Sequence, residues 1–106
     1  MNPTDWLNAG YKRYEIPANS VMYNLVDFIL QKSIKDYCIT VYVYDRSKYQ
    51  DYPEAYTEQY GFMPTAHYSL GEDAPFFEVT MNGTFTVEEC ETGFEKLWNA
   101  FQGNGK

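Results

Sequence analysis

Residues 18–45 read ANSVMYNLVDFILQKSIKDYCITVYVYD, and the fold turns on how this stretch divides. In its first part, Ala18 to Asp36, Val21, Leu25, Phe28 and Ile29 stand at helical spacing, with Met22 and Val26 beside them. Apolar residues three and four positions apart line one side of a helix, so this part reads as a long helix. Asn19 or Ser20 can cap it, because a short polar side chain accepts a first-turn N–H, and Pro17 fits at its start. In the second part, Tyr37, Ile39, Val41 and Val43 alternate with Cys38, Thr40, Tyr42 and Tyr44. A period of two is that of a strand, and apolar residues in both sets predict a central strand covered on both faces.

The flanks are read outward from there. Thr4 to Gly10 predicts one capped helical turn that stops at Gly10. Downstream, Asp51 can cap a short helix from Tyr52 to Tyr60, with Pro53 in its first turn and Glu54 completing a box-like start. Gly61 ends that helix and Pro64 prevents its continuation. Ala66 to Leu70 and Phe76 to Met81 read as two strands joined by Gly71 to Pro75, with Phe77, Val79 and Met81 facing in. Asn82-Gly83 is a turn signal. Thr86 followed by Glu89 is a capping box, and Val87, Cys90, Phe94, Leu97, Trp98 and Phe101 recur at helical spacing. The last helix therefore runs from Val87 to Gln102, stopped by Gly103. The order is α-β-α-β-β-α. It predicts a single α+β domain over 1–106, with two long helices packed on one face of a three-stranded, largely antiparallel sheet, plus a short helix.

A chain of 106 residues buries roughly 65% of its unfolded surface, enough for a core without staples. Phe, Trp and Tyr total 20, of which 11 are Tyr, against only 15 Val, Ile and Leu. Aromatic side chains carry roughly 150–250 Å² each, so several Tyr are expected at the surface, where Tyr commonly marks contact sites. One His and two Cys, Cys38 and Cys90, exclude a two-His metal site, a four-Cys zinc site and a disulfide framework. Both Cys read as small core residues and His67 as a structural or surface residue; a Cys90–His67 dyad has no supporting motif. No apolar run approaches a membrane span and the N-terminus has no leader pattern, so a cytoplasmic location is expected. No cofactor or metal motif is present, and no nucleophile, base and orienting group assemble by motif, so catalysis is not expected.

The net charge of −7 is unevenly placed. Residues 49–95 hold ten acids and no Lys or Arg, while the remainder holds five acids and eight bases. Asp51, Glu54 and Glu58 stand at i, i+3, i+7 on the short helix, and Glu88, Glu91 and Glu95 repeat that spacing on the last one. Like charges so placed cost roughly 0.2–0.5 kcal/mol per pair, and folding alone gives no reason for them. Tyr49, Tyr52, Tyr56 and Tyr60 follow at similar spacing on another side of the short helix, Tyr56 and Tyr60 inward and Tyr49 and Tyr52 near the edge, and Glu72-Asp73 add a loop pair. Carboxylates in a row can fill the Arg and Lys sites that hold phosphates, and Tyr can stack where a base would.

A polyanionic protein is a poor ligand for nucleic acid or anionic membrane. The expected partner is therefore a basic protein, such as a nucleic-acid-binding protein or a nuclease complex. The expected activity is inhibition by imitating nucleic acid. In size, charge and lack of catalytic motifs alone, the chain resembles phage anti-defence proteins, among them anti-CRISPR proteins, and nuclease immunity proteins. The alternatives are a small-molecule binder with an aromatic pocket and a structural subunit that self-associates, for instance as a homodimer.

Overall fold

The computed structural model describes residues 1–34, 36–46, 59–69 and 76–102. The elements run α1 (Pro3–Asn8), β1 (Lys12–Tyr14), β2 (Phe28–Ile34), β3 (Tyr37–Asp45), β4 (Tyr60–Ser69), β5 (Phe76–Thr80) and α2 (Val87–Phe101). The strands form one antiparallel sheet in the order β1-β2-β3-β4-β5. The α+β class stands. The arrangement of two long helices on three strands does not: among the described residues there is one long helix, one short helix and five strands.

The largest correction falls on Ala18 to Asp36. Residues 18–25 form turns, tied by Tyr23 N–H to Ser20 C=O and Val26 N–H to Met22 C=O, and Met22 N–H donates to Ser20 Oγ at 3.1 Å. Helical bonding stops there, and Phe28–Ile34 is strand β2, paired along its whole length with β3. Phe28, Leu30, Lys32 and Ile34 share a face with Tyr37, Ile39, Val41 and Val43, so one apolar row meets another across the pair. Ile34 opposite Tyr37 closes the hairpin. Burial gained in that pairing outweighs a helical propensity worth only tenths of a kcal/mol per residue.

A second correction concerns Gly61 and Pro64, which lie inside β4 rather than at a helix end. The expected strand from Ala66 begins earlier, at Tyr60, which was expected in the short helix. A proline in an interior strand removes a ladder donor. Here Met81 N–H donates to Pro64 C=O at 2.9 Å, just past the end of β5. The missing donor thus falls at the last rung, where least pairing is lost. The rest of the expected helix over 52–60 lies outside the described residues.

The alternation of β3 agrees with its reading, and β3 is central. α2 carries its capping box: Glu89 N–H donates to Thr86 Oγ1 at 3.1 Å and Thr86 N–H to Glu89 Oε1 at 2.9 Å. Cys90, Phe94 and Trp98 on α2 are buried. With them the core contains Trp6, Tyr11, Phe28, Leu30, Tyr37, Ile39, Val41, Val43, Ala66 and Tyr68. Its aromatics interlock: Tyr68 stacks on Trp98 with centroids 5.6 Å apart, and Trp6 meets Tyr11 edge-on at 5.0 Å. Tyr68 Oη donates to the Phe94 carbonyl at 2.8 Å, so its buried hydroxyl is satisfied. α1 starts from its own capping box at Asn2 and leads to Gly10, whose φ of 100° turns the chain into β1.

Candidate functional site

On α2 the three expected acids do not share one role. Glu88 and Glu95 are exposed. Glu91 is half-buried, and its Oε2 accepts from Lys32 Nζ at 2.9 Å and from Tyr11 Oη at 3.0 Å. Lys32 Nζ also donates to the Ala9 carbonyl at 2.7 Å, so this ion pair ties α1, β2 and α2 together. Helical geometry explains the split. At about 100° per residue, Glu88 and Glu95 lie about 20° apart, while Glu91 lies about 60° from Glu88 and about 40° beyond Glu95, beside Trp98 at the rim of the apolar stripe. Glu91 is a structural residue. Glu89, also exposed, is engaged in the capping box. Tyr49, Asp51, Tyr52, Glu54, Glu58, Glu72 and Asp73 lie outside the described residues.

The face of the sheet opposite α2 shows an organisation that the residue pattern does not reveal. Register aligns Tyr14, Ile29, Tyr42 and Met63 in one row across four strands. Tyr44 joins this apolar part, its Oη 3.9 Å from Met63 Sδ. Beside it runs a polar network. Gln31 Nε2 donates to Thr40 Oγ1 at 3.1 Å, His67 Nε2 lies 3.1 Å from Thr40 Oγ1, and His67 Nδ1 lies 3.1 Å from Glu78 Oε1. Thr65 and Thr80 hydroxyls meet at 2.9 Å. With His67 neutral, the carboxylate accepts from Nδ1–H, leaving Nε2 to accept from the Thr40 hydroxyl. This connectivity orders hydroxyl, imidazole and carboxylate as a proton relay does. Thr40, however, is 5% exposed and its oxygen is already engaged by Gln31, so the network cross-links β2, β3, β4 and β5.

Sequence reading treated His67 as isolated because Glu78 and Thr40 are distant along the chain. Only strand register brings the three together. Cys90 is not its partner: Cys90 faces the sheet from α2, whereas His67 points from the opposite face. Burial, then the Glu91 charge, push the Cys90 thiol up to about 12, and burial raises Cys38. Both thiols are held protonated, the form that is not nucleophilic. Tyr11 is raised far above the usual phenol range, by burial first and the Glu91 charge second.

Two clefts flank the core. One, of about 870 Å³, lies where α1, the start of β4 and the start of α2 meet; Asp5, Arg46, Tyr60, Phe62, Phe85 and Glu88 line it. The other, about 540 Å³, separates the β2–β3 hairpin from α2 and is lined by Lys32, Asp36, Tyr37, Glu91, Glu95 and Trp98. Among the described residues no group of three or more His, Cys, Asp or Glu is placed to hold a metal ion. Among them, too, no helix is long and apolar enough to cross a membrane. Comparison with protein-family models, curated proteins and solved structures found no match to the chain.

Proposed function

We propose that this chain is a non-catalytic binding protein that acts in the cytoplasm by occupying the basic site of a nucleic-acid-handling protein. One observation carries the reading. The 47 residues from 49 to 95 hold ten acids and no Lys or Arg, and their described part builds adjacent elements, β4, β5 and most of α2. Within that part the Glu91 charge is met by Lys32 from β2, while Glu88 and Glu95 project from α2. Carboxylates displayed in this way meet Arg and Lys as phosphates do, with charge-assisted hydrogen bonds. Facing charges also steer association and make it sensitive to salt.

The test is capture from an extract of the native host at low salt. The captured protein is expected to be released both by duplex nucleic acid and by high salt. Combining Glu88→Lys and Glu95→Lys is expected to weaken it about tenfold, with the circular dichroism spectrum unchanged. A partner held equally in high salt and indifferent to nucleic acid would sink the reading. The cleft of about 870 Å³ favours a second reading, an aromatic small molecule seated among Tyr60, Phe62 and Phe85, since ligand pockets span roughly 300–1,000 Å³. That reading expects a metabolite-dependent rise in melting temperature that is insensitive to salt.

A further inference from the structure

The two edges of the sheet are built differently. β1 has three residues, all exposed, two of them cationic. The Arg13 guanidinium lies 3.8 Å over the Phe28 ring and 2.8 Å from Glu15. A short, charged edge of this kind resists the addition of another strand. β5 has five residues and neither Lys nor Pro. Because Met81 N–H donates to Pro64 C=O, Met81 and Pro64 form a hydrogen-bonded pair. Pairs alternate along an antiparallel ladder, so Val79 and Phe77 also bond β4, while the backbone groups of Glu78 and Thr80 point away from the sheet. No described strand lies on that side.

The side chains at this edge extend the offer. On the α2 side, Phe77 meets Phe101 with centroids 4.7 Å apart, and Phe101 is 37% exposed, so an apolar floor continues past the last strand. On the opposite side Glu78 remains 53% exposed despite its contact with His67. Among the described residues from 59 to 95 there are five Glu and no Lys or Arg. We propose that β5 is a strand-addition site for an extended basic segment of a partner protein. That segment has apolar residues toward Phe77 and Phe101 and Lys or Arg toward Glu78. Main-chain bonds to Glu78 and Thr80 supply affinity, and the alternation of side chains supplies specificity. A cation opposite Glu78 forms the favourable cross-strand pair. The proposal rests on the basic-partner reading above and names how that partner docks.

The probe is a blocked synthetic peptide of about six residues alternating Val with Arg, the length of a typical strand. Backbone hydrogen exchange is followed by NMR on the full chain. At saturating peptide the Glu78 and Thr80 amides are expected to slow about tenfold or more, with the Phe77 and Val79 amides little changed. Thr80→Pro removes an outward donor and leaves the backbone bonds to β4 in place, with Thr80→Val as the control for the lost hydroxyl contact to Thr65, and Glu78→Lys opposes the charge; Thr80→Pro and Glu78→Lys are each expected to abolish the slowing, and Thr80→Val to keep it. Unchanged exchange with the Arg peptide, or equal slowing by a Val–Glu peptide, overturns the proposal. Protection that appears without peptide as protein concentration rises also overturns it, and makes a second copy the occupant. If Glu88→Lys with Glu95→Lys releases the captured host partner while Thr80→Pro does not, strand addition falls and the acidic-half reading stands. If the peptide docks at β5 but nucleic acid displaces no captured partner, the acidic-half reading falls alone.

Discussion

Along β3, neighbouring residues face two different environments. Tyr37, Ile39, Val41 and Val43 look toward α2 and are buried among aliphatic and aromatic side chains. Cys38, Thr40, Tyr42 and Tyr44 look the other way, where Thr40 is bonded to Gln31 and His67 and the two Tyr are half-buried. The first face is held by burial, which is non-directional and proportional to area. Around Thr40 the second is held by paired polar groups, each worth little net but costly to leave alone. The same backbone therefore carries stability on one side and positional order on the other.

Breaking the α2 face should have the largest effect. Phe94 is fully buried, and Phe94→Ala is expected to cost about 3–5 kcal/mol in urea unfolding, as truncation of buried aromatics does. A loss under about 1 kcal/mol would show that α2 contributes little to the core. Val41→Thr places a hydroxyl on the same dry face and should cost about 1–3 kcal/mol.

Alkaline titration probes both faces at once. Burial raises Cys90, Tyr11, Tyr37 and Tyr68 on the α2 side and Cys38 and Tyr42 on the other. Each of these groups is neutral when protonated. A raised folded value therefore gives stability that is present below the unfolded value and lost as pH rises toward the folded one. For Cys90 the window runs from 9.0 to about 12, so melting temperature should fall steadily above pH 9. Cys90→Ala should make that slope shallower; an unchanged slope would assign the alkaline loss to the phenols.

The smallest effect is expected from Thr40→Val, the reverse swap to Val41→Thr one residue away. It keeps the shape and removes the hydroxyl shared by Gln31 and His67, at about 0.5–1.5 kcal/mol. If it costs as much as Val41→Thr, the two faces are not energetically distinct.

The parts legible in the sequence share one property. The alternation of β3 and the capping box and stripe of α2 are set by residues within a few positions of each other, and both elements lie where those patterns place them. β2 was read as helix because Phe28, Ile29 and Leu30 satisfy either period; pairing with β3 decided it. Pro64 reads as a breaker, yet the sheet accommodates it where β5 ends. Of the acids on α2, Glu88 and Glu95 are exposed. Glu91 could have been separated from them by its angle to Trp98, but Lys32 as its partner comes from a strand far along the chain.

The sequence by itself determined the α+β class, the central strand, the capped final helix and the concentration of acid between residues 49 and 95. Those follow from local periodicity, local hydrogen bonding and charge, which need no knowledge of what packs against what. Only the tertiary structure decided that residues 28–34 are strand, that Gln31, Thr40, His67 and Glu78 join in one network, and that β5 is the last of the described strands, with the backbone groups of Glu78 and Thr80 turned away from β4. Strand pairing is a contact between distant segments, and its register sets the face on which every side chain falls.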